Sequence, residues 1–184
     1  GVNAIKVAAD GVARMSLGRI DYETTANIGV IEGGMAVNIV PNSVILRGEA
    51  RSHSQEKLDQ QTEHMLRCLQ DSAARHTLEV GGARFTASVE AKIERDYDRM
   101  DVSEGAPIVQ LVRAAAKNLR VEVKTLATGG GCDANVLNQK GLEVANLSTG
   151  MREIHTVKEW LDLKDLNLSA QMVLEVLRLN AANL

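Results

Sequence analysis

Three short extended segments between Thr24 and Ala50 constrain the fold of this chain more than any other feature. TANIGVI and VNIV are separated by the turn signal Glu32-Gly33-Gly34. Pro41-Asn42 then precedes a third run, Ser43 to Ala50, in which Val44, Leu46, Gly48 and Ala50 alternate with Ile45, Arg47 and Glu49. Helical periodicity flanks these runs. Ile5, Ala8, Ala9, Val12 and Met15 share one face of a helix predicted over Asn3 to Met15, with Gly18 as its stop. Ser54 can cap a long helix to about Arg75, with Leu58, Thr62, Met65, Leu69 and Ser72 along one stripe. Gly81-Gly82 introduces one more strand, Arg84 to about Arg95, with Phe85, Ala87, Val89, Ala91 and Ile93 at period two. A helix, strands, a helix and a strand in that order imply a two-layer α+β module, with helices on one face of an antiparallel sheet. The module closes near Asp101.

Beyond the polar stretch from Asp96 to Gly105 the pattern changes. It reads as helix (Pro107 to Leu119), strand (Val121 to Ala127), glycine-rich loop, short helix (Cys132 to Gln139), strand (Leu142 to Leu147), loop and final helix (Leu163 to Asn180). Such alternation belongs to an α/β sheet, but two strands are few for a doubly wound domain. The second part therefore reads as an incomplete α/β segment.

Charge and composition exclude several function classes. The 21 basic and 24 acidic residues are interspersed, leaving no basic stripe to follow a phosphate backbone, so nucleic acid is not the expected partner. No run approaches the roughly 18 apolar residues of a membrane span, and GVNAIKVAAD lacks the order of a signal peptide. The expected location is cytoplasmic. Cys68 and Cys132 are read as free thiols.

Each candidate functional residue has a structural alternative. Gly129-Gly130-Gly131 follows a predicted strand and precedes a helix, a place where bare backbone N–H groups can approach an anion, or where the chain simply turns. Asp133 reads as the cap of the short helix. His155 lies in a strand-end loop, TGMREIHT, as a ligand or as a surface hydrogen-bonding residue; HxD, HExxH and paired glutamates are absent. His64 and His76 fall on the long helix and read as solvated. Arg51 ends the third strand in RSH and can grip a carboxylate or make a surface ion pair, and Asn38 in VNIVP can donate to a carbonyl. No GxSxG elbow is present, and Cys132 reads as structural.

In order along the chain, GRIDYETTANIGVIEGGMAVNIVPNSVILRGEARSH, GGGCDANVLNQKG and LSTGMREIHT resemble the C-terminal half of peptidase T-like enzymes. These belong to a two-zinc metallopeptidase family with carboxypeptidase G, the aminoacylases and succinyl-diaminopimelate desuccinylase. The resemblance implies that residues 1–97 are most of a lid, or dimerisation, domain whose first strand lies upstream, and that residues 98–184 are the last part of the catalytic domain. It further implies His155 as a zinc ligand, Asn38, Arg51, Gly130 and Gly131 as substrate-binding residues, and a short peptide or N-acyl amino acid as substrate. The family's HxD, bridging Asp and Glu-Glu pair have no counterpart in this chain. The resemblance thus implies two zinc ions in the parent, none held by this chain, an inactive chain, and a homodimer formed through the lid. A different class remains open: a non-catalytic dimerisation or binding module built on the same fold.

Overall fold

A computed structural model describes residues 1–182, which form two compact units, residues 1–94 and the residues from Arg95 onward. The first unit contains α1 (Ala4–Ala13), β1 (Gly18–Arg19), β2 (Thr25–Gly33), β3 (Val44–Arg51), α2 (Gln55–Arg75), β4 (Thr77–Val80) and β5 (Ala83–Thr86). β1, β2 and β3 make an antiparallel sheet in that order. Both helices pack on each other and on β3, the two-layer α+β arrangement the sequence implies.

The α1–α2 contact is close because Gly11 has no side chain. A Cβ there would lie 2.7 Å from Leu69 Cδ2 and 3.2 Å from Leu69 Cα. The buried face of α1 is Val7, Ala8 and Gly11, continuing to Met15, whereas Ile5 is exposed. The contact is therefore rotated from the stripe expected around Ile5 and Ala9, since helix-to-helix approach follows the smallest residue and not the largest apolar one. Across it, the fully buried Ser72 hydroxyl donates to the Val7 carbonyl at 2.8 Å.

His64 and His76 are not simply solvated, as their helix positions suggested. The Ser16 amide donates to His64 Nε2 at 3.1 Å, and Gln61 donates to the Ser16 carbonyl at 2.8 Å, so α2 grips both backbone groups of one residue. His76 Nδ1 lies 2.8 Å from the Ser72 carbonyl at the end of α2. At the other end, Ser54 caps α2 by accepting from the Lys57 amide. Lys57 Nζ pairs with Asp21 Oδ2 at 2.9 Å and Glu23 Oε1 at 2.6 Å, and lies 4.6 Å from the Tyr22 ring centroid. The Lys57 hydrogen bonds hold both carboxyl groups below their usual range, and those same bonds, first to Glu23 and then to Asp21, raise the Lys57 ammonium above its own.

Two strand expectations change. VNIV is a turn in which the Ile39 amide donates to the Ala36 carbonyl at 3.2 Å. The Pro41 carbonyl accepts from the Ala4 amide at 3.0 Å, so this connection is spent on the start of α1 instead of on a sheet. The strand expected from Arg84 to Arg95 ends at Thr86; its partner is β4, joined through Gly81 (φ 58) and Gly82 (φ 79). Positive φ at both central residues gives a two-residue turn whose twist matches paired strands.

The second unit is held by α3 (Pro107–Leu119), α4 (Asp133–Gln139) and α5 (Leu163–Ala182). Val112, Ala115 and Ala116 of α3 meet Met172 of α5, with Leu119, Val121, Leu168, Val176 and Leu179 around them. Residues 121–127 and 142–147, expected as strands, carry no ladder among the described residues. A strand exists only through a hydrogen-bonded neighbour. Here the Val144 backbone is instead satisfied by the Asn138 side chain, at 2.9 Å through its carbonyl and 3.3 Å through its amide.

Candidate functional site

His155 lies on a loop built by local contacts. Gly150 opens the loop at φ 84, and a Cβ there would fall 2.4 Å from Asp165 Cβ, so both conformation and proximity require glycine. Arg152 and Trp160 close its base as an isolated antiparallel bridge, exchanging backbone hydrogen bonds at 3.0 and 3.1 Å. The Arg152 guanidinium stacks 4.5 Å from the Trp160 ring centroid, donates to the Gly150 carbonyl at 3.2 Å and pairs with Asp165 of α5 at 2.9 Å. Asp162 accepts from the Lys164 amide at 2.9 Å, capping α5 just past the loop.

Within that frame Glu153 (φ 54) and His155 (φ 64) are both left-handed, which costs about 1–2 kcal/mol for each non-glycine residue. Thr156 supports the turn: its amide and hydroxyl both donate to the Glu153 carbonyl, at 3.2 and 2.7 Å. The His155 amide donates to Glu159 Oε2 at 2.9 Å. Sequence reading picked out His155 but not Arg152, Glu159 or Trp160. The available signals were the single Trp of the chain, eight residues from an Arg, and a Glu four residues past the His.

The glycine loop belongs to the same unit. A Cβ on Gly131 would lie 1.9 Å from the Tyr97 hydroxyl, so this glycine admits the ring, whereas a Cβ on Gly130 meets nothing within 4 Å. Asp133, expected as the helix cap, is the first residue of α4. Cys132 takes the cap position, and its amide donates at 3.0 Å to Oδ1 of Asn135, whose carboxamide reaches back from the third helical position. Both cysteines are free thiols.

In the first unit Asn38 lies in the turn between β2 and β3, and Arg51 ends β3 opposite Thr25, at the other end of the hairpin. Val44 and Arg51 lie at opposite ends of a strand of 8 residues, roughly 23 Å apart at about 3.3 Å per residue, and Asn38 belongs to the turn at the Val44 end. The hairpin does not bring Asn38 and Arg51 together. Arg51 pairs with Glu49 at 2.8 Å on the exposed face of β3.

A zinc site takes three or more protein ligands. Among the described residues no three His, Cys, Asp or Glu side chains come together in a way that could hold a metal ion. His155 offers one imidazole, so the described residues do not by themselves fit such an ion.

Comparison with known proteins extends from the first unit to nearly the whole chain. Residues 1–77 match the peptidase dimerisation domain of the M20 peptidases. The first 77 residues are thus similar to that dimerisation domain. A tripeptidase from Staphylococcus aureus subsp. aureus Mu50 superposes with a TM-score of 0.77 at 37% identity, covering 96% of this chain and 45% of that one. The aminopeptidase PepT of Bacillus cereus ATCC 10987 gives a TM-score of 0.72 at 35% identity over the same shares, 96% and 45%. The YqjE protein of Bacillus subtilis strain 168 is 36% identical over 177 residues, 96% of this chain and 45% of its own length. The chain thus spans less than half the length of these relatives. The 177 residues matched in YqjE include residues beyond the 77 of the dimerisation-domain match. No helix among the described residues is long and apolar enough to cross a membrane.

Proposed function

We propose that these residues are the dimerisation domain (1–97) and the closing catalytic segment (98–184) of a zinc-dependent exopeptidase, a tripeptidase-like aminopeptidase that acts on short peptides in the cytoplasm. The observation that carries this reading is the similarity to a solved tripeptidase across 96% of the chain at 37% identity, which reaches beyond the dimerisation domain into the His155 loop. In it His155 is a metal ligand, Arg51 holds a substrate carboxylate, Asn38 donates to the scissile region, and Gly130 and Gly131 line the substrate pocket. Two zinc ions supply the activated water in the whole protein. The remaining ligands and the general base come from residues outside these 184, and the protein works as a homodimer joined through the lid. Among the described residues β1 and β3 are the outer strands of the sheet, and outer strands suit such pairing.

A second reading, a non-catalytic dimerisation or binding module, is favoured by the lack of a three-ligand cluster among the described residues. Incubating the purified 184-residue chain and the whole protein with zinc and a panel of tripeptides separates the two. The expected result is release of the N-terminal amino acid by the whole protein and none by the chain. Hydrolysis by the chain alone, or inert whole protein loaded with zinc, would overturn the proposal.

A further inference from the structure

The loop contacts assign a role to Glu159, which the proposed function leaves without one. Glu159 and His155 are four apart, yet they belong to a bridged loop and not to a helix, so their contact is made by the fold of the loop alone. The bridge at Arg152 and Trp160 sets the ends of the loop, and the Thr156 turn shapes its middle. The Thr156 turn encloses residues 154 and 155, with His155 at its third position and φ 64. The 155 amide adds a further bond from outside that turn, to the Glu159 carboxylate at 2.9 Å. Among the described residues the imidazole itself makes no hydrogen bond, so its placement follows the backbone of the loop.

We propose that Glu159 is a positioning residue for His155: its carboxylate, by accepting from the 155 amide, acts with the Thr156 turn to hold the left-handed backbone that presents the imidazole. A charged acceptor suits this task because its hydrogen bond is stronger than a neutral one and is less readily exchanged for water. The role as ligand support rests on the proposed function; the contact itself does not.

The test has two arms. In the 184-residue chain, amide hydrogen exchange is followed by NMR at His155, Arg152 and Trp160. Glu159→Ala should speed exchange at His155 by about tenfold, the loss expected for one charge-assisted bond, and leave Arg152 and Trp160 unchanged. Glu159→Gln keeps an acceptor oxygen and should restore much of the protection. No change at His155, or equal acceleration at all three positions, would overturn the assignment, the latter because it would mean the loop had merely melted.

In the whole protein, zinc affinity is measured by titration. His155→Ala should abolish binding at one site, and Glu159→Ala should weaken it by roughly 10- to 100-fold, the range for residues that orient a metal ligand. Unchanged zinc affinity in Glu159→Ala beside a large loss in His155→Ala would sink the positioning role and spare the proposed function. Unchanged affinity in His155→Ala would sink the proposed function, while the exchange arm still decides whether Glu159 holds the loop.

Discussion

Arg152 and Trp160 are bound to each other twice, by paired backbone hydrogen bonds at 3.0 and 3.1 Å and by the guanidinium stacked 4.5 Å from the indole centroid. Backbone pairing brings the two side chains together, and the stack with the Asp165 ion pair fastens the loop base to α5. A double-mutant cycle of Arg152→Ala and Trp160→Ala, read by thermal denaturation, should give a coupling energy of about 0.5–1 kcal/mol. Strict additivity would show that the stack carries no energy.

Gly150→Ala should destabilise the same loop by about 1–3 kcal/mol, because it adds left-handed strain and forces Cβ into Asp165. The accompanying sign is faster amide exchange at Arg152 and Trp160. Wild-type exchange there would count against the close packing at Gly150.

Ser72 tests the α1–α2 contact. Its hydroxyl is fully buried and bonded to the Val7 carbonyl, so Ser72→Ala should cost about 1 kcal/mol in chemical denaturation. The Val7 carbonyl is within a helix and keeps its helical partner, which holds the loss near that figure.

The Lys57 cluster predicts how stability depends on pH. Asp21 and Glu23 titrate below their ordinary 3.8 and 4.5 when folded, so their contribution is present above those values and is lost as pH falls through the depressed ones. Lys57 titrates above its ordinary 10.5, so its contribution is present below that pH and is lost as pH rises through the raised value. Melting temperature against pH should show an acid slope beginning near pH 4 and an alkaline slope above 10.5, both reduced by Lys57→Met. Identical profiles for the two proteins would remove the cluster from the account.

Arg51 separates substrate binding from stability. If it holds a substrate carboxylate in the whole protein, Arg51→Ala should lower kcat/KM by roughly 10- to 100-fold, mainly through KM, as expected for a lost charged hydrogen bond. Melting temperature should stay near wild type, because an exposed pair such as Arg51–Glu49 contributes little. An unchanged KM would remove Arg51 from the substrate contacts.

The sequence by itself determined which segments are helical, that extended runs begin near Thr24 and near Ser43, and that residues past Asp101 follow a different pattern. Those properties depend on local periodicity, Ser54 at a cap and glycines at turns, and each is written within a few residues of where it acts. Only tertiary structure decided which face α1 buries, because the closest approach is at Gly11 against Leu69, distant in sequence. It also decided that residues 121–127 and 142–147 carry no ladder among the described residues, since a strand requires a partner that periodicity does not supply. His155 stood out as a candidate through the TGMREIHT segment. Glu159 did not, because its carboxylate reaches the 155 amide only after Arg152 and Trp160 have closed the loop.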